Sequence, residues 1–264
     1  TPPDKLILKG KHVYLRPLAL EDADNLFQIF NRPDREFDWY YMPFGPFNNT
    51  SQVREWICGL EGANDPNFFT MCLVNSDQPF GICSYLNIKP SAGSIEVGFI
   101  QVGADFQRST YFTEAMYLLA KKAFQLGFRR YEWKCDALNE RSRRAAHRLG
   151  FSYEGKFRQA LVVKGRNRDT KWFSIIDRDW PKLRTAFEIW LSPQNFNSNG
   201  TQKSSLSDLT RDFIETMDPD IFQHHKFLFV FLGLCHYWKC CWKLLFLHEP
   251  PSVSLHCASC YDPQ

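Results

Sequence analysis

From Leu6 to Pro17 apolar and polar residues alternate in LILKGKHVYLRP, the period of a half-buried strand, and Glu21-Asp22 then opens a helix that runs to about Asn31. Residues 37–48 (FDWYYMPFGPFN) interrupt the periodicity, with aromatics crowded among turn formers. Thr50 or Ser51 caps a second helix that passes through Trp56 to about Leu60. Three strand patterns follow in a row: FFTMCLV (68–74), FGICSYLNI (80–88) and SIEVGFIQV (94–102). The turns between them, Asn75-Ser76-Asp77 and Pro90-Ser91-Ala92-Gly93, are short, so the three strands form an antiparallel meander.

Helical spacing takes over from Thr113, with Ala115, Met116, Leu118, Leu119, Ala123 and Phe124 apolar and Gly127 closing the helix. The strand YEWKCDAL (131–138) follows at once. Strand, helix and strand in so small a unit imply a parallel pair with a right-handed crossover. A helix over Glu140–Leu149 ends at Gly150; strands over 151–163 and 170–176 and a last helix, Trp180–Leu191, complete the pattern. The fold class is therefore α/β: a mixed, mostly antiparallel sheet with one parallel pair and flanking helices.

A chain of 264 residues that is 44% hydrophobic can bury one substantial core and carry an appendage. Lysine and arginine number 32 against 29 acidic residues, a balance that gives no field for a polyanion. A small molecule or peptide is the expected partner, and nucleic acid is not. The opening TPPDK lacks the basic start and apolar run of a secretory signal, which points to the cytoplasm. Cys58, Cys72, Cys83 and Cys135 stand singly in apolar or periodic segments, as buried reduced thiols do. Cys235, Cys240, Cys241, Cys257 and Cys260 instead crowd the end of the chain. There KFLFVFLGLCHYWKCCWKLLFL (226–247) is strongly apolar, yet Lys239 and Lys243 leave it too short for a membrane span. Cys257 and Cys260 form a CxxC without a second well-spaced pair, so no metal site is expected. The expected division is a domain over 1–211 and an apolar, cysteine-rich, poorly ordered tail over 212–264.

Within the domain, IEVGFIQVGADFQRSTYFTEAMYLL, YEWKCDALNERSRRAAHRLGFSYEGKFRQ and VVKGRNRDTKWFSIIDRDWP follow one another in an order and spacing that resemble the GNAT superfamily of N-acetyltransferases, and its RimJ/RimL-like branch in particular. The likeness extends from about Leu6 to about Leu209. It implies transfer of an acetyl group from acetyl-CoA to a primary amine, a protein N-terminus or a small molecule, by direct attack in a ternary complex. It further implies that the strands at 94–102 and 131–138 splay apart, with Ile100, Gln101 and Val102 offering backbone groups to the pantetheine amides. The loop Gln107-Arg108-Ser109-Thr110-Tyr111-Phe112, running into Thr113, would hold the pyrophosphate, since a helix N-terminus has free N–H groups and a favourable dipole. Asn139 and Ser142 match positions of further CoA contacts, and Asn139 is also a good N-cap. Where the family pattern reads Gln/Arg-x-x-Gly-x-Gly/Ala, this chain has Thr110 and Phe112 in place of small residues. The Phe112 ring is expected to turn outward and cover the neighbouring helix.

Acyl transfer to an amine requires a neutral nitrogen, and an unperturbed alkyl ammonium has a pKa of about 10, so a base or a water chain must take its proton. Glu96, on the strand beside the implied thioester, is the first candidate base and Glu154 the second. Ala146 stands where many family members carry the tyrosine that protonates the thiolate, so Ser142, through water, is the replacement candidate, with His147 behind it. The basic set Arg158, Lys164, Arg166, Asn167, Arg168 and Asp169 could select an acidic acceptor, and the aromatic segment 37–48 could wall the acceptor site. The competing class is a catalytically weak or inactive CoA-binding module, which would bind acetyl-CoA without turnover.

Overall fold

The computed structural model describes residues 6–32, 37–60 and 63–221. The N-terminal half runs β1 (Leu8–Lys9), β2 (Val13–Pro17), α1 (Ala23–Phe30), α2 (Thr50–Cys58), β3 (Asn67–Leu73), β4 (Pro79–Lys89) and β5 (Ser94–Val102). The remainder is α3 (Thr110–Gln125), β6 (Arg130–Asp136), α4 (Glu140–Arg148), β7 (Ser152–Val163), β8 (Arg166–Ile176), α5 (Trp180–Leu191) and α6 (Leu206–Thr210). The strands form one sheet in the order β1-β2-β3-β4-β5-β6-β8-β7. Every neighbouring pair is antiparallel except β5 and β6, which are parallel and joined through α3, as the sequence pattern predicts.

Three local expectations change. The alternating run 6–17 is two strands, because Gly10 turns the chain and the Glu114 carboxylate collects the N–H groups of Lys11, His12 and Val13 at 2.7, 2.8 and 3.0 Å. A Cβ at position 10 would stand 2.8 Å from Glu114 Cδ, so this turn requires glycine. The second helix is capped by Asn49, whose side chain accepts from Gln52 N, and not by Thr50 or Ser51. Helix α3 begins at Thr110, ahead of the apolar periodicity, because Ser109 caps it by accepting from Phe112 N.

The two sheet faces carry separate cores. Ile95, Val97, Tyr131, Trp133 and Phe173 pack with residues of α3, α4 and α5. Phe68 and Ile82 pack with α1, α2 and the aromatic segment, including Trp39 and Met42. Alternation along the strands sends neighbouring side chains to these two cores in turn.

The chain divides into two units, the first ending at Asp218 and the second beginning at Pro219. The expected boundary after residue 211 falls inside the first unit. Tyr153 N donates to Thr216 O, and Glu215 N donates to Ser152 Oγ at 2.9 Å. Buried Asp218 meets Lys171 at 2.5 Å and Arg143 at 3.1 Å. Of the second unit, the described residues are the 3-10 turn Pro219–Ile221. The apolar, cysteine-rich stretch beyond it lies outside the described residues.

Candidate active site

Parallel pairing between β5 and β6 runs from Ser94–Arg130 to Val97–Trp133 and stops there, although β5 continues to Val102 and β6 to Asp136. On its other side β5 stays with β4, but the register steps from Ser84–Gly98 to Ile82–Gln101. One extra residue is accommodated in β5, and Phe99 takes it up with a left-handed φ of 49°. Such a bulge bends its strand and sharpens the local twist. The sheet consequently divides beyond Val97, and the backbone edge at Ile100, Gln101 and Val102 faces away from β4 with no β6 partner.

The loop after β5 returns to this division. Gln107 Nε2 donates to Val102 O at 3.4 Å, and Ser109 Oγ donates to Phe106 O at 2.6 Å. Exposed Arg108 has φ 58°, which turns the chain into α3. Thr113 Oγ1 donates back to Ser109 O at 3.0 Å. The N–H groups of Thr110 and Tyr111 lie in the first helical turn, ahead of the first intrahelical donor, and suit an anion. Half-buried Phe112 packs against the main core.

Helix α4 starts at the opposite lip. Asn139 Oδ1 accepts from Ser142 N at 3.1 Å, and Ser142 Oγ accepts the Trp133 indole N–H at 2.9 Å. Ser142 thus sits over Trp133, the last residue of β6 paired with β5, at the throat of the division. Ala146 is fully buried. His147 is committed to the fold: its Nδ1 is 3.1 Å from Phe151 O and its Nε2 accepts Asp218 N–H at 2.9 Å. Burial holds its pKa below the ordinary imidazole value, in keeping with a neutral ring.

The two carboxylate candidates part company. Glu96 is 5% exposed and lies one residue below the division. Its Oε2 accepts from Lys134 Nζ at 2.6 Å and Asn87 Nδ2 at 2.7 Å, whereas among the described residues nothing donates to Oε1. Oε1 lies toward Gly98, where an added Cβ would stand 3.7 Å from it. Burial raises the Glu96 pKa above the usual carboxylate range, against the opposing pull of Lys134 and Asn87. Asn87 is itself set at φ 48°, with the Asp65 carboxylate accepting the N–H groups of Asn87 and Ile88 at 2.9 Å each. Glu154 sits near the N-terminal end of β6, away from the division, and both its oxygens accept from Arg130 at 2.7 and 2.5 Å. Those bonds, with one from Ser174, lower its pKa.

A family model described as the acetyltransferase (GNAT) domain matches residues 12–152. The chain belongs to the GNAT acetyltransferase family. It is 31% identical over 179 residues to the uncharacterized N-acetyltransferase p20 of Bacillus licheniformis, covering 66% of this chain and 97% of that protein. Among solved structures, a GCN5-related N-acetyltransferase from Brucella melitensis superposes with a TM-score of 0.77 at 39% identity, over 80% of this chain and 96% of that one. RimL, named as a ribosomal L7/L12 α-N-protein acetyltransferase, shares the fold at 19% identity and a TM-score of 0.57, over 65% of this chain and 94% of its own. The protein is therefore an acetyl-transferring enzyme with the mixed sheet of that family.

In this GNAT domain the basic set near the β7–β8 turn fastens the aromatic segment. Lys164 Nζ donates to Trp39 O at 2.9 Å and Phe44 O at 3.2 Å. Arg166 donates to Tyr40 O and stacks 3.3 Å from its ring. Asp169 accepts from Gln159 N and Asn167 Nδ2, closing the hairpin on itself. Arg158 is exposed on β7, and Arg168, also on the hairpin, is half-buried. Lys134 and Asn87, which orient Glu96, carry no signal in the linear pattern: Asn87 lies in a register irregularity between Leu86 and Lys89 of β4, and Lys134 comes from the neighbouring strand β6. Among the described residues no cluster of three His, Cys, Asp or Glu could hold a metal, and no helix is long and apolar enough to cross a membrane.

Proposed function

We propose that this domain transfers the acetyl group of acetyl-CoA to a primary amine, a protein N-terminus or a small molecule, in a ternary complex, and that it belongs to the RimJ/RimL-like branch. The observation that carries this reading is the divided β5–β6 edge with Glu96 beneath it, one carboxylate oxygen anchored and the other free. The donor set fits the ligand: backbone groups of Ile100, Gln101 and Val102 for the pantetheine amides, and the Gln107–Thr113 turn with Arg108 for phosphate. Asn139 and Ser142 complete the opposite lip. Bound acetyl-CoA supplies a thioester carbonyl open to attack. Glu96 Oε1 accepts the proton of the incoming ammonium, so that a neutral amine bonds to the acetyl carbon as the carbon–sulfur bond breaks. Ser142 Oγ, through water, relays the second proton that the acylated nitrogen sheds to the departing sulfur, which leaves as the thiol. Similarity to YdaF of Bacillus subtilis (strain 168), a candidate ribosomal N-acetyltransferase by name, at 27% identity over 65% of this chain and 94% of that one, supports the branch.

The test is thermal denaturation with millimolar acetyl-CoA, followed by thiol release over a panel of peptides and small amines. A ligand that binds only the folded state raises the midpoint. No shift would overturn the acetyl-CoA reading. A shift without turnover on any amine would favour the inactive CoA-binding module, whose motivation is Thr110, Phe112 and Ala146 at three family positions.

A further inference from the structure

Alternation along β5 would send Ile95, Val97 and Phe99 to one face. Ile95 and Val97 do join the core under α3. Phe99 does not: its left-handed φ turns the ring to the other face, where it stacks on Phe68 at 5.5 Å and 10° and lies 5.7 Å from Phe44. A left-handed backbone disfavours every side chain and a bulky one most, so glycine would carry the same bulge without strain. What phenylalanine adds is the ring. Strained residues kept against such a cost point to use, when their surroundings hold them in place.

The surroundings here do so. Phe68, Ser84 and Gly98 are successive cross-strand partners, and Gly98 shares its face with Glu96, so Phe68 and Glu96 look out on the same side of the sheet. Leu86, opposite Glu96, lays its side chain over Gly98, where a Cβ would stand 2.9 Å from it. From Glu96 Oε1 the surface passes over Gly98 and Leu86 to the half-buried rings of Phe99 and Phe44. Phe44 is stacked on Trp56 at 4.7 Å, and its carbonyl is held by Lys164. One anionic oxygen thus stands at the end of a preformed aromatic wall.

Building on the amine-acetylation reading above, we infer that the preferred acceptor is an amine flanked by an aromatic or extended apolar group, its nitrogen at Glu96 Oε1 and its flank against Phe99 and Phe44. The oxygen matches the ammonium in charge, and offset or edge contacts between rings supply the rest. A polyhydroxylated amine would press hydroxyls against rings that offer them no partner.

The experiment uses the full chain, saturating acetyl-CoA and three acceptors: 2-phenylethylamine, ethylamine and glucosamine. The expected result is a kcat/KM for phenylethylamine at least tenfold above that for either of the others. Phe99→Gly, which keeps the bulge without strain, and Phe44→Ala should each raise KM for phenylethylamine at least fivefold while moving KM for ethylamine less than twofold. Melting with and without acetyl-CoA checks that each variant is folded and binds donor. Equal use of all three amines, or a preference that survives in both folded variants, overturns the wall while leaving amine acetylation standing. Failure to acetylate any of the three or any peptide removes both readings together.

Discussion

The Asp218 carboxylate lies 2.5 Å from the Lys171 ammonium, and both side chains are out of contact with solvent. Arg143 and the ring of His147 close the same knot through Asp218 Oδ2 and its backbone N–H. Removing one member of a buried ion pair leaves the other charge stranded, at a cost of about 3–5 kcal/mol. Asp218→Ala should therefore lose stability of that order in urea denaturation, and a chain ended after residue 211 should melt well below one ended after residue 221. Equal midpoints for the two truncations would show that residues 212–218 add nothing to the domain.

His147 adds a pH dependence to the same knot. Its folded pKa is lowered by burial, so the folded state takes up its proton less readily than the unfolded chain does. Stability from this residue is complete above the unfolded value of ~6.5 and is lost as pH falls from there through the lowered folded value. The groups facing it are the Asp218 carboxylate and backbone N–H, Phe151 O, and the cations Lys171 and Arg143. His147→Gln should flatten the fall of the melting temperature below that pH. An unchanged slope would assign the acid sensitivity elsewhere.

Glu96 and Glu154 give a paired kinetic test. Glu96→Gln should reduce kcat about 10²–10⁴-fold, the usual contribution of a general base, whereas Glu154→Gln should affect stability alone. Because burial raises the Glu96 pKa, the acid limb of the kcat/KM profile should lie above the ordinary glutamate value of ~4.3. Lys134→Met removes the cation that holds this pKa down and should move the limb to higher pH. A limb that stays in place would separate Lys134 from the base.

Phe112→Ala should lower stability by about 1 kcal/mol, as for a half-buried ring, and leave acetyl-CoA affinity unchanged. A titration with acetyl-CoA beside a denaturation curve decides this. Tenfold tighter binding at unchanged stability would mean that the ring crowds the ligand instead.

Much of the fold is legible because period and punctuation agree with tertiary packing. The helix over Trp180–Leu191 and the strand over Ser94–Val102 coincide with their sequence patterns, and Asn139 caps α4 as its type suggests. The departures occur where a distant side chain decides. Glu114 splits the first strand from over a hundred positions away, and Lys164 and Arg166 spend their charges on carbonyls of the aromatic segment. The Glu96 surroundings were half visible: the carboxylate stands out on an apolar strand, but its anchors come from a left-handed Asn87 and from a neighbouring strand, neither of which has a linear mark.

The Glu114 clasp makes the hairpin of β1 and β2 a reporter for the start of α3. Three consecutive amide protons, those of Lys11, His12 and Val13, exchange with solvent only when that carboxylate lets go, and the carboxylate is one residue along from Thr113. Whatever stiffens the first turn of α3 should slow deuterium uptake at all three amides together, though they belong to the far edge of the sheet. Isotope exchange at residues 11–13 can therefore register occupancy of the helix start without an acceptor or turnover.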